Sequence, residues 1–232
     1  MSTPFASTAW VDNENVSLNP AMLPFLRGYN ISLLHTNPYS LMELSYNQFS
    51  FNFKNICLNG SLLGSDIYKE WLLSIGLGFK FSSSLSYGVK VKGMGVSIKG
   101  YGNRSIPAVD IGVLYYNDRY GIGGVISNLN RPNISGDFIP LRLSIGTFLN
   151  ILRDINLGLD FVKEEGYKER FLTGIEFLPL PSFSIRLGLS TNPLLPSFGL
   201  SASFKRLKVS YTFRFHSRLG GTHLVSLNLS GF

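Results

Sequence analysis

The chain is short of charge, of thiols and of long apolar runs. Its one cysteine, Cys57, rules out an intramolecular disulfide, and with no Cys-x-x-Cys pair it reads as a packed strand residue. Charged residues make up 15%, against about 25% in ordinary soluble domains. No run reaches the roughly 18–20 apolar residues of a membrane-crossing helix. The start, Met1-Ser2-Thr3-Pro4, has neither a basic n-region nor an apolar h-region. A chain destined for the bacterial outer membrane needs such a leader. This sequence is therefore expected to be a mature or engineered form, a truncated gene product, or not a bacterial export substrate. The net charge is +7, yet Lys and Arg are spread singly with no basic block, so nucleic acid is not an expected partner.

What is present is aromatic, glycine-rich and periodic: Phe 18, Tyr 11 and Gly 24 in 232 residues. Residues 1–26 stand apart as an N-terminal plug segment. Ala6 to Val16 reads as a short helix or an irregular plug, and Asn19 to Pro24 as a turn, because both prolines restrict the backbone. Over 27–232 the period becomes two. Trp71, Leu73, Ile75, Leu77, Phe79 and Phe81 share one face of a strand, opposite Leu72, Ser74, Gly76, Gly78 and Lys80. The alternation recurs at Leu85–Lys92, Val109–Tyr116, Leu141–Gly146, Ile155–Phe161, Phe171–Phe177, Phe183–Ser190, Phe198–Lys205, Leu207–His216 and Val225–Ser230. Weaker strands fit near Gly28–His35, Ser40–Gln48, Phe49–Asn59 and Tyr120–Asn128. The sum is about fourteen strands, with twelve as the alternative. No strong helix separates them, which argues against βαβ folds.

Alternation serves a membrane barrel, whose apolar face meets lipid, and a soluble sandwich, whose apolar face meets a second sheet. Three features favour the barrel. The apolar face runs almost unbroken, without the charges or prolines that protect sheet edges. The polar face is rich in Gly and Ser and carries single charges: Lys80, Lys90, Lys92, Asp110, Arg142, Asp160, Glu176, Arg186, Lys205, Lys208 and Arg214. These suit a lumen where opposite charges pair. The bland role of Lys90 and Lys92 is to pair with Asp110, Asp160 or Glu176 and tie the wall to its plug. The functional alternative is an anion-favouring or polar pathway. The third feature is Phe232, which ends the chain directly after a strand, as the terminal aromatic that bacterial barrel-assembly machinery commonly reads. It is out of phase with Val225, Leu227 and Leu229, so Gly231 is expected to form a bulge.

The order of several segments carries a resemblance. Trp10-Val11-Asp12-Asn13-Glu14-Asn15-Val16-Ser17-Leu18 leads into Asn19-Pro20-Ala21, and Leu219-Gly220-Gly221-Thr222-His223-Leu224-Val225-Ser226-Leu227 closes the chain. With Gly88–Lys92, Ile98–Gly102, Asp110–Leu114, Gly174–Phe177 and Ile185–Gly188 between them, the sequence resembles the FadL-like superfamily of outer-membrane barrels, and its PorV/PorQ-like branch in particular. The resemblance implies a fourteen-stranded antiparallel transmembrane barrel in the bacterial outer membrane, with N-terminal residues in the lumen. It implies either uptake of hydrophobic small molecules or handling of secreted cargo for the type IX secretion system. The expected partners are the lipid bilayer, a hydrophobic ligand, and periplasmic or secretion-system proteins.

Motifs for chemistry are missing. There is no HExxH, Walker A or GxSxG pattern. Gly121-Ile122-Gly123-Gly124 has no helix after it and no βαβ unit around it, so it is not a dinucleotide loop. His35, His216 and His223 are far apart; His216 and His223 flank one loop and are candidate neighbours across the last hairpin, a poor metal site without a carboxylate. No cofactor, metal or catalysis is expected. The readings that remain are a ligand-handling barrel, a plugged barrel acting as a structural or secretion partner, a soluble β-protein binding lipid or sugar, and a mitochondrial porin.

Overall fold

The computed structural model describes residues 5–134 and 136–231. Phe232, the terminal aromatic, lies outside them, as do Met1–Pro4. The first seven strands are β1 (Tyr29–Asn37), β2 (Tyr46–Phe53), β3 (Ile56–Gly64), β4 (Tyr68–Lys80), β5 (Leu85–Ile98), β6 (Gly102–Tyr116) and β7 (Tyr120–Ser127). A small outlying hairpin follows, β8 (Asn133–Ile134) and β9 (Asp137–Phe138). The rest are β10 (Arg142–Leu152), β11 (Ile155–Glu164), β12 (Arg170–Leu180), β13 (Phe183–Ser190), β14 (Leu195–Phe204), β15 (Leu207–His216) and β16 (Gly220–Gly231). Apart from β8 and β9, each strand pairs antiparallel with its chain neighbours, and β1 pairs with β16 to close a 14-strand barrel. Closure satisfies every strand edge, which is what lets a sheet cross lipid.

The side chains are arranged inside out relative to a soluble protein. Leu73, Ile75, Val113, Ile122, Ile145, Ile175, Leu187 and Val225 are exposed on the outer wall. Ser32, Asn52, Asn59, Ser86, Lys90, Lys92, Asp110, Ser144 and Asp160 are buried within. Exposed apolar and buried polar residues on one alternating strand set are the signature of a membrane barrel. The strands form one closed barrel rather than the two facing sheets of a sandwich.

The connections differ at the two ends. At one, tight turns such as Lys54–Asn55, Arg153–Asp154, Pro181–Ser182 and Lys205–Arg206 join the strands. At the other lie the longer segments 38–45 and 128–141. They are called the turn end and the loop end below.

Several expected boundaries move. The strands expected over 40–48 and 49–59 are β2 and β3, joined at Lys54–Asn55, while 38–45 forms a loop with two 3₁₀ turns. The reason lies in the phase. Phe49, Phe51 and Phe53 face out on β2, whereas Ile56 and Leu58 face out on β3, so alternation jumps by one residue between Phe53 and Ile56. The turn is made by Lys54 at φ 51°. No bulge forms at Gly231, because β16 stays in continuous register with β1 to Tyr29↔Gly231. The Tyr29 ring covers that glycine, where a Cβ would collide with it. Register shifts lie instead between Asn150 and Leu152 and between Phe177 and Leu180.

Candidate functional site

Residues 5–26 lie within the lumen as a plug. Ala6 to Val16 is not helical; the helix is a 3₁₀ segment, Pro20–Phe25, where a turn alone was expected. Pro20 suits its first position, where no amide hydrogen is needed. Asn19 caps it by accepting from Ala21 N–H at 3.0 Å, while its Nδ2 donates to Thr8 O at 2.9 Å. The Asn19-Pro20-Ala21 motif thus ties the helix to the irregular segment around Thr8. Pro20 rests where β4 and β5 present glycine. A Cβ on Gly88 would lie 2.6 Å from the Pro20 carbonyl carbon and 2.7 Å from Ala21 N, and one on Gly78 would lie 2.7 Å from Pro20 O. The inward glycines therefore set the clearance for the plug. Cys57 is fully buried in the apolar cluster that joins Ala21, Met22 and Leu23 to the wall.

Three charged anchors fasten the plug among the described residues. Asp160 on β11 accepts through Oδ2 from Ser7 N–H at 2.8 Å, Thr8 N–H at 2.9 Å and Thr8 Oγ1 at 2.8 Å. Lys90 and Lys92 on β5 both pair with Asp110 on β6, at 3.0 and 2.6 Å. Lys90 also donates to Ser17 O of the plug at 2.7 Å, and Lys92 to Asn128 Oδ1 at 2.8 Å. The third anchor gathers Arg186, Lys208, Glu176 and the plug carboxylates Asp12 and Glu14. Arg186 reaches Glu176 at 2.7 Å, Asp12 at 3.3 Å and Glu14 at 3.6 Å; Lys208 reaches Asp12 at 3.2 Å and Glu14 at 3.5 Å. Asn228 and Ser210 add hydrogen bonds to Glu14. Burial opposes the charge on Asp12, but Lys208 and Arg186 beside it hold its carboxyl well below the usual carboxylate range.

The sequence-derived charges therefore divide. Lys90, Lys92, Asp110, Asp160, Glu176 and Arg186 join plug anchors. Arg142 and Arg214 point into the lumen nearer the loop end, on the inward parity of β10 and β15. Lys80 is exposed at the turn end, its ammonium 5.2 Å from the Phe25 ring centre. Lys205 does not face the lumen: it is exposed in the β14–β15 turn at φ 54°, where the chain reverses one residue earlier than the alternation suggested. His216 and His223 are not neighbours either, since they lie on opposite faces. His216 Nδ1 accepts from Arg218 and Leu219 N–H, while the outward His223 lies 2.7 Å from Tyr211 Oη. Thr222 points inward and accepts from Tyr39 N–H at 2.9 Å, and Gly220 takes φ 86° in the closing turn. Arg170, Glu164, Tyr39 and Phe5 were missed. For Arg170 the signal was available: it is the first residue of β12 and shares the parity of the inward Leu172.

Two spaces remain beside the plug. A cavity of about 290 Å³ towards the loop end is lined by polar groups, including Gln48, Asn59, Ser74, Lys92, Asn128, Arg142 and Glu164, with Leu72, Val162 and Leu172. A smaller one of about 80 Å³ lies between plug and wall, lined by Phe5, Trp10, Leu34, Tyr46 and Leu224 among charged neighbours.

No family profile and no curated protein matches the chain. Solved structures do. The Ralstonia pickettii toluene transporter TbuX superposes with a TM-score of 0.72 at 8% identity, over 99% of this chain and 97% of that one. The CymD monoaromatic hydrocarbon channel gives 0.70 at 11% identity, over 97% and 94%. The KdgM porin gives 0.53 at 13% identity, over 88% and 99%. What is shared at these identities is the fold, a membrane-spanning antiparallel barrel, as the FadL-like resemblance implies.

Proposed function

We propose that this chain is a non-catalytic conduit of the bacterial outer membrane that admits a small, largely hydrophobic ligand past its N-terminal plug. The observation that carries the reading is the pair of cavities beside the plug, one of them lined by Phe5, Trp10, Leu34, Tyr46 and Leu224. A ligand pocket of this kind combines apolar walls with a few placed polar groups. The likeness to a toluene transporter, a hydrocarbon channel and a porin supports transport. The turn end faces the periplasm on this reading, as short turns generally do.

The test is entry of toluene and benzoate into vesicles with a lipopolysaccharide outer leaflet. Faster entry of one probe than into protein-free vesicles is expected; equal rates for both refute the conduit. A second reading, the plugged secretion partner of the PorV-like resemblance, draws support from the three buried anchors. It predicts no probe entry and specific capture of a periplasmic protein on the purified barrel.

A further inference from the structure

We propose that the turn-end rim binds anionic phospholipid, gathering its net-negative phosphodiester headgroups in a ring around the barrel. This goes beyond the conduit reading and stands whether or not a ligand passes. Charge is distributed unevenly between the two ends. Of 21 Lys and Arg and 14 Asp and Glu, the turn end takes seven cations and two carboxylates. Lys54, Arg119, Arg153 and the pair Lys205 and Arg206 stand on four turns, with Arg27 at the foot of β1 and Lys80 at the end of β4. Against them stand Asp118 and Asp154. Five of the net +7 charges therefore sit on one end of the barrel. All seven cations are exposed, and none has a carboxylate within 4 Å among the described residues. The loop end is solvated too, yet there Asp66, Glu165, Glu169 and Glu164 pair with Lys69, Arg131, Lys163 and Arg170. Solvation alone does not account for the excess.

The ring lies at headgroup depth. Phe53, Phe79, Tyr87, Tyr115, Tyr120 and Phe204 are exposed on the outer wall beside the turns, with Phe79 stacked on Tyr87 and Tyr115 on Tyr120. An aromatic girdle of this kind marks where hydrocarbon gives way to headgroups. Lys54 and Lys205 directly follow Phe53 and Phe204, and their ammonium groups lie 5.1 and 5.7 Å from the ring centres. Both side chains thus rest against the lipid-facing wall. A Lys or Arg there keeps its stem on apolar surface and its charge among the phosphates. Lys80 leans inward instead, over Phe25 of the plug. The spread of the cations decides the partner. Around the closed barrel the turn end has six connections and the β1–β16 seam, and all of these except Pro181–Ser182 have a cation on or beside them. A protein partner docks against a patch on one side. An encircling ring fits the annulus of lipid around the wall, and each Lys or Arg near an anionic surface adds an attraction that salt screens.

The experiment places the full chain in phosphatidylcholine vesicles and reads, by electron spin resonance, the association of spin-labelled phosphatidylglycerol relative to spin-labelled phosphatidylcholine. Phosphatidylglycerol is expected to be favoured about fivefold or more at low salt, the scale of one Lys or Arg near an anionic surface, and the preference to shrink as sodium chloride is raised. A variant carrying K54Q, R153Q, K205Q and R206Q is expected to lose most of the preference. A variant carrying K99Q, R104Q, K168Q and R218Q, an equal loss of exposed charge at the loop end, should keep it. Heat-modifiable gel migration checks that each variant is still a barrel. The proposal is overturned if the parent takes both lipids equally, if the turn-end variant matches the parent, or if both variants lose the preference alike. Exchanging chloride for inorganic phosphate at equal ionic strength should leave the preference intact; its loss there would assign the ring to a free anion and overturn the lipid site. Polyglutamate is the protein probe. Its capture by the barrel in nonionic detergent, with no preference for phosphatidylglycerol in vesicles, would assign the ring to an acidic protein instead.

Discussion

Arg186→Met tests whether the plug is held as one unit. Arg186 lies 2.7 Å from Glu176 on the wall and 3.3 and 3.6 Å from Asp12 and Glu14 on the plug. Without it, among the described residues Asp12 and Glu14 keep Lys208 as their ion-pair partner, and Glu176 keeps the amide of Asn156. Removing one member of a buried pair costs about 3–5 kcal/mol. These side chains retain 8–20% exposure, so the low end of that range applies. About 3 kcal/mol raises the plug-released population roughly a hundredfold. The assay uses Cys57, the sole cysteine, buried among Ala21, Met22 and Leu23 of the plug. When reclosure outpaces labelling, its reaction rate with a maleimide follows the open population. A roughly hundredfold faster rate, with unchanged heat-modifiable migration, is expected. Arg186→Lys, which keeps the charge but loses the fork, should fall between. A rate for Arg186→Met within about twofold of the parent would show that the helix over Cys57 does not follow this anchor, and would refute the single-unit reasoning.

Three further predictions follow from the same contacts. Gly88→Ala places a methyl group against plug backbone at 2.6–2.8 Å; it should cost about 1–3 kcal/mol of plug seating and speed Cys57 labelling while the barrel stays folded. Asp12 has a depressed carboxyl in the seated plug, so its contribution is full above the ordinary carboxylate range near pH 4 and is lost only as pH falls further, through the depressed value. Pepsin should accordingly spare the N-terminal segment at about pH 4 and begin to clip it near pH 2, whereas Asp12→Asn should be clipped already at the higher pH; intact mass reads both. Ile175→Arg, on the lipid face of β12, should cost about 2–4 kcal/mol in urea unfolding from lipid vesicles, and a value near zero would remove this face from the bilayer.

The architecture was legible because its signal is local. A period of two puts alternate residues on opposite faces, so Leu73, Ile75 and Leu77 were assigned away from Ser74 and Gly76 before any pairing was known. The fourteen strands were countable in the same way. Where boundaries failed, at β2 and β3, the phase jump from Phe53 to Ile56 held the correction, since an uninterrupted strand cannot change face. Lys205 failed for a related reason: alternation does not show where a chain reverses.

The charge partnerships were less legible. Lys90 and Asp110 are register partners on adjacent strands, so a hairpin register would have found them. Asp12 and Arg186 are 174 residues apart and share no ladder. The inward glycines were readable as small lumen residues, but their use as clearance for Pro20 and Ala21 was not.

The sequence by itself thus determined the two faces of the wall, because side-chain direction in a strand depends on parity alone. Tertiary structure decided the closure of β1 on β16, the seat of the plug and the meeting of Asp12 and Glu14 with Arg186 and Lys208. Those features depend on which distant side chains meet in a closed lumen, and no local period encodes that.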